Sequence, residues 1–212
     1  MPQNSGLSIN DRWKEALNTA PKRWRLISGS VIIFSIIIYL PYFFRHIEER
    51  QGTVLHDWVL EQIPAHNVSV IIFIIIWGTG LLTLYRAVYK PEIYILYAWA
   101  LIFVCLARML AISLVPLDPP IGLIKLADPL TGVFYGQAII TKDLFFSGHI
   151  STVVLIFLCL EKKSDKIISF FSIIAIAILL LVQHIHYTID ILAAPIVTYG
   201  CYRFAKYIFF KK

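Results

Sequence analysis

Apolar residues run along this chain in long blocks, and polar residues collect between them. Six blocks stand out: 26–44, 68–85, 93 to about 114, 144–160, 167–183 and 187 to about 204. Each is close to the roughly 20 residues a helix needs to cross a bilayer. Lipid offers no hydrogen bonds to a backbone, and the alternation of a membrane barrel is absent, so the blocks predict helices rather than strands. The expected fold is all-α: a polytopic membrane protein with six transmembrane helices. A basic amphipathic segment, 1–25, precedes a membrane domain, 26–212. The first block follows about 25 polar residues and is long enough to span, so it predicts a retained span and no cleavable signal peptide. No internal repeat or low-complexity tract is visible.

Composition agrees. Of 212 residues 58% are apolar and only 15% are charged, with a mean hydropathy of +0.75. Soluble domains are about 45–50% apolar and about 25% charged. A soluble globule, a disordered chain and a nucleic-acid module are disfavoured. Cys105, Cys159 and Cys201 lie inside apolar blocks with neither knuckle nor disulfide spacing, and read as small apolar residues.

The net charge of +6 is ambiguous until it is placed. Fourteen of the nineteen Lys and Arg residues fall in 1–25, in the connections after the second and fourth blocks, and in the tail. With six spans these four regions share one side. The positive-inside rule then puts both termini in the cytoplasm and the loops at about 45–67 and 115–143 outside. Trp13, Trp24 and Lys22-Arg23-Arg25 read as an interfacial anchor on the cytoplasmic leaflet. His46, His56 and His66 read as exposed loop histidines.

Ionisable side chains inside spans are costly and default to functional candidates. Arg108, His149, His186 and Asp190 come from three different blocks and share one level in the outer half. His186 and Asp190 are four apart, hence on one helix face, where a carboxylate can orient an imidazole. His149 follows Ser147-Gly148 at a helix start, a place whose N–H groups favour phosphate. It can protonate a leaving oxygen. Arg108 can fork onto phosphate oxygens. Asp143 and His184 stand at span ends beside them. Two histidines, a cation and no thiol suit phosphoryl transfer. A zinc site built from Asp143, His149, His186 and Asp190 is a rival, without HExxH or clustered Cys to support it. Another is a transporter using His and Asp as a proton relay, although the set lies near one face and no repeat is seen.

Asp143-Leu-Phe-Phe-Ser147-Gly148-His149 and His184-Ile-His186-Tyr187-Thr188-Ile-Asp190 resemble the two catalytic motifs of the sphingomyelin synthase family. That family lies within the type 2 phosphatidic acid phosphatase superfamily, and the likeness covers about 140–205. The resemblance implies a phosphatidic acid phosphatase-like helical core and a phosphohistidine on His186. It implies that Asp190 orients His186, that His149 is the acid and then the base, and that Asp143 lines the pocket. Arg108, Asp143, Ser147, Gly148, His184 and Tyr187 would serve substrate or phosphate binding. No metal or cofactor is implied. The partner would be a membrane phospholipid or sphingolipid, reached at the outer face of an integral membrane protein, and a compact bacterial relative is the source suggested. The acceptor is a lipid alcohol or water, giving a transferase or a phosphatase. The chain departs from the pattern where Thr141-Lys142 stand in place of a frequent Cys-Gly, and where Ile150 replaces Thr. It lacks the Lys-x6-Arg-Pro motif of other branches. Arg108 only loosely matches the upstream arginine motif.

Overall fold

The computed structural model describes residues 8–126 and 140–210. The centre of the expected long outer loop, the start of the basic N-terminal segment, and Lys211 and Lys212 of the tail lie outside the described residues. Among the described residues there are seven α-helices and no strands, beyond one isolated bridge between Thr53 and Leu117. The helices are α1 (Ile9–Ala16), α2 (Ala20–Glu48), α3 (Ser69–Tyr89), α4 (Pro91–Leu114), α5 (Gly148–Cys159), α6 (Lys163–Val182) and α7 (Thr188–Phe210).

Local chemistry sets the starts. The Ser8 hydroxyl accepts from Asp11 N–H and caps α1. Proline occupies the first turn of α2 and α4, where its missing N–H costs nothing. Only Lys90 separates α3 from α4, so these two form a tight antiparallel hairpin. Pro41 and Pro195 sit inside α2 and α7.

Four helices, α2, α3, α4 and α6, are long and apolar enough to cross a membrane. The other two expected spans differ. The block 144–160 is helical only from Gly148, which leaves α5 with 12 residues. At about 1.5 Å per residue that is roughly 18 Å, short of a hydrocarbon core of about 30 Å. Residues 144–147 enter the bundle as irregular backbone, with Leu144, Phe146 and Ser147 buried. Non-helical backbone is tolerated at such depth when protein surrounds it. The last block forms α7, of 23 residues, which carries Asp190, Arg203 and Lys206.

α4 is the hub: α2, α3, α5 and α7 all pack on it. Ala98 and Ala100 are buried there and allow close approach. α5 is the innermost helix, with Ile150, Val153, Leu155 and Ile156 almost inaccessible. The outer helices show the reverse pattern. Val31, Phe34, Ile38 and Tyr42 on α2 are exposed, as are Val70, Ile74, Trp77 and Leu81 on α3, and Ile167, Phe171, Ile174 and Ile178 on α6. The three- and four-residue spacing makes each set one stripe, and together they form the apolar belt a bilayer would cover.

Most of the basic residues among those described gather at one end. Trp13 and Arg12 of α1 donate to the carbonyls of Val88 and Tyr89 that end α3. Arg25 donates to Phe209 O at 2.6 Å, and Trp99 to Arg25 O at 3.0 Å. Arg86 grips the buried Asp165 with both arms of its fork, at 2.6 and 3.0 Å. Lys90 pairs with Glu161. Residues 49–68, 115–126, 140–147 and 183–187 occupy the opposite end.

Candidate active site

The polar groups expected inside the apolar blocks meet near that loop-bearing end. The core of the cluster is a helix start. Ser147 is fully buried, and its hydroxyl accepts from Ile150 N–H at 3.4 Å to cap α5. Its own N–H donates to Asp190 O at 3.2 Å, which ties the start of α5 to the start of α7. Because α5 is short, this helix start lies recessed within the bundle rather than at its rim.

Arg108 reaches this start from α4. A Cβ built on Gly148 would lie 1.8 Å from Arg108 Nη1 and 2.6 Å from its Cζ. Only glycine lets the guanidinium rest against the first turn of α5. Arg108 is 9% exposed and pairs through Nη2 with Asp143. It stands six residues before the end of α4, about 9 Å deep.

His149 stands next to Gly148 in the first turn. Its ring lies 6.1 Å, centroid to centroid, from that of His186, at an interplanar angle of 68°. His186 Nδ1 faces Asp190 Oδ2 at 3.3 Å, and both side chains are essentially inaccessible. Asp190 Oδ2 also accepts from Tyr187 N–H at 3.1 Å. An acidic partner on Nδ1 selects the tautomer with its proton there and the lone pair on Nε2. Asp190 Oδ1 is buried and has no hydrogen-bond partner among the described residues.

A cavity of about 240 Å³ adjoins this cluster. Arg108, Asp143, Gly148 and His149 line it on one side; Leu40, Phe43 and Phe44 of α2, Ile76 of α3, and Leu101 and Val104 of α4 supply apolar walls. α2 and α3 flank the cavity, and both pack on α4.

Nine residues were expected to act. Arg108, Asp143, Gly148 and His149 share the cavity, Ser147 caps the helix beneath it, and His186 with Asp190 stands behind His149. His184 and Tyr187 point elsewhere. His184 has φ of 54°, and its ring nitrogens face Ile121 O at 3.0 Å and Ile63 O at 2.8 Å. Tyr187 OH donates to Asp118 O at 2.8 Å and accepts from Leu55 N–H at 3.1 Å. Both side chains fasten loops to one another at this end of the bundle. Among the described residues no three His, Cys, Asp or Glu side chains converge as a metal-ion site. His46, His56 and His66 are exposed as expected, but His46 lies in the last turn of α2, which runs to Glu48, and not in a loop.

Several supporting residues had no sequence signal. Asp57, in the loop after α2, accepts from Thr188 N–H at 2.6 Å and Thr188 Oγ1 at 3.0 Å, and so caps α7 from 131 positions away. Burial pushes the Asp57 carboxyl up, but the hydrogen bonds from Thr188, Leu60 and Val59 outweigh it and hold it below its ordinary value. Lys142 holds the Asp118 carboxyl low in the same way. Gln183 is fully buried, donating to Ser69 Oγ at 2.7 Å and accepting from Val68 N–H at 3.1 Å. A polar residue closing an apolar block was the one available hint for it.

Fold and site together define an all-helical protein with membrane-type helices around a recessed His–His–Asp–Arg cluster. Residues 142–207 match the family model described as PAP2 superfamily, C-terminal. That stretch contains both His motifs and Asp143 but not Arg108, and it supports the superfamily. None of the curated proteins matches the chain.

Proposed function

We propose that this chain is a membrane enzyme that cleaves a lipid phosphoester through a phosphohistidine on His186. It passes the phospho-head group to a lipid alcohol such as ceramide or diacylglycerol. The observation that carries the reading is Arg108 seated against Gly148 beside His149, at the polar side of a cavity whose other walls are apolar. A cation and a helix N-terminus at one point suit a phosphate, and apolar walls suit the chain attached to it.

The chemistry follows the geometry. The Nε2 lone pair of His186 attacks phosphorus, and the bond from phosphorus to the lipid alcohol breaks. His149, as imidazolium, gives its proton to the departing oxygen. The acceptor alcohol then loses its proton to His149 and attacks phosphorus, and the electron pair of the P–N bond returns to His186. Asp190 steadies the charge that develops on the His186 ring. Arg108 binds the phosphoryl oxygens, and Asp143 orients Arg108. No step requires a metal. The apolar wall that α2 and α3 give the cavity supports entry of an alcohol from the bilayer rather than water from the rim. The positive-inside rule puts this site on the outer face of the membrane, with both termini cytoplasmic.

Purified protein in mixed micelles with labelled phosphatidylcholine, phosphatidylethanolamine and phosphatidic acid tests the reading. With ceramide present and divalent metals chelated, the label moves to ceramide. His186→Ala lowers the rate by at least about a thousandfold. Release of a water-soluble product at the same rate without ceramide makes water the acceptor. Full activity of His186→Ala removes the nucleophile assignment.

A further inference from the structure

We propose that Glu48, the last residue of α2, is a positioning residue for the Arg108–Asp143 pair; the inference rests on the phosphoester reading above. Thr141-Lys142 stand where the resembling motif often has Cys-Gly, and these two residues are the ones Glu48 holds. Its Oε1 accepts from Thr141 N–H at 2.5 Å and Lys142 N–H at 2.6 Å. Its Oε2 accepts from Thr141 Oγ1 at 2.9 Å. Two adjacent backbone N–H groups on one carboxylate fix the path of the chain directly before Asp143.

The grip is braced from the other side. The Lys142 ammonium donates to Arg50 O and lies 2.9 Å from Asp118 Oδ1. Arg50 in turn donates to Ser113 O at 3.0 Å and Ile112 O at 2.8 Å, closing the end of α4. The contacts form a ring: α4 carries Arg108, Arg108 binds Asp143, residues 141 and 142 bind Glu48, and Arg50 returns to α4. Glu48 also lies one to two turns beyond Leu40, Phe43 and Phe44, which wall the cavity. α2 thus carries both the apolar wall and the hold on the phosphate-binding pair. A fork aimed at phosphate tolerates little displacement, so loosening residue 142 costs rate without touching a reacting group.

The test uses the full chain in mixed micelles of phosphatidylcholine, phosphatidylethanolamine and phosphatidic acid with ceramide, and orthovanadate as a phosphate probe. Glu48→Ala lowers kcat/KM by about ten- to a hundredfold and weakens orthovanadate inhibition by a similar factor. Glu48→Gln stays near wild type, because its amide oxygen still accepts both N–H groups. In an Asp143→Asn background, Glu48→Ala costs almost nothing more, since the two act through one contact. Wild-type rates and orthovanadate inhibition in Glu48→Ala overturn the proposal, as does a full repeat of its loss in the Asp143→Asn background. Should Glu48→Ala fail to elute as a monodisperse protein, Glu48→Asp replaces it. That variant is one methylene too short to hold both N–H groups, and its partial loss must vanish with Asp143→Asn. A wild-type protein that turns over none of the three lipids removes the phosphoester reading and this proposal with it. Active wild type with unaffected Glu48 variants removes the proposal alone.

Discussion

Gly148 is where one missing carbon decides the site. A methyl group there would fall 1.8 Å from Arg108 Nη1, so Gly148→Ala must drive the guanidinium off the start of α5. The helix itself gains from alanine by propensity. The expected outcome is a protein of unchanged thermal stability whose kcat/KM falls by about a hundredfold. Rates in mixed lipid micelles beside melting curves in detergent check both halves, and a rate within twofold of wild type would show that Arg108 does not work from this seat. At this scale much of the site was legible. Arg108, His149, His186 and Asp190 stood out because charge and imidazole are scarce inside apolar blocks. The roles of His184 and Tyr187 were not legible, since motif spacing places a residue on the chain and says nothing of the carbonyl its side chain meets. Glu48 and Asp57 were invisible for a related reason. Their partners lie 93 or more positions away, and a carboxylate at a span end or in a loop reads as a solvated one.

At the scale of elements, the start of α7 depends on a carboxylate from another loop. Asp57 supplies the cap that Thr188 lacks locally, and it does so two residues from both His186 and Asp190. Asp57→Ala should destabilise the protein by about 1–2 kcal/mol, the usual cost of a lost helix cap with its charge at the positive end of the dipole. The pH dependence has a definite sign. The folded carboxyl lies below its ordinary value, so its stabilisation is fully present above the unfolded value of about 4 and fades as pH falls through the folded one. Asp57→Ala should therefore melt lower than wild type at pH 7, with the gap closing below about pH 4. A gap that persists unchanged in acid would mean that bulk, not charge, holds the loop. Element lengths show where hydropathy stops being informative. It found α2, α3, α4 and α6 because a lipid-facing helix must be apolar throughout. It overran α5, because Leu144–Ser147 is just as apolar while being irregular and buried in protein.

For the whole molecule, the question is which way the bundle sits in the bilayer. The structure collects the ties of Arg12, Arg25, Arg86 and Lys90 at one end and the His–His–Asp–Arg cluster near the other. Basic clusters resist translocation, so the end bearing α1 and the α3–α4 and α5–α6 connections is expected to stay in the cytoplasm. The recessed site then opens toward the outer leaflet. Two single cysteines decide this. Ile121 is highly exposed in the loop after α4, and Ser164 is exposed in the first turn of α6. A membrane-impermeant maleimide added to intact cells should modify Ile121→Cys and leave Ser164→Cys unmodified until the membrane is opened. The native thiols give little background, since Cys159 is buried and Cys105 and Cys201 are partly so. The opposite labelling would put the site on the cytoplasmic side, and the lipid it meets would have to be sought in the inner leaflet.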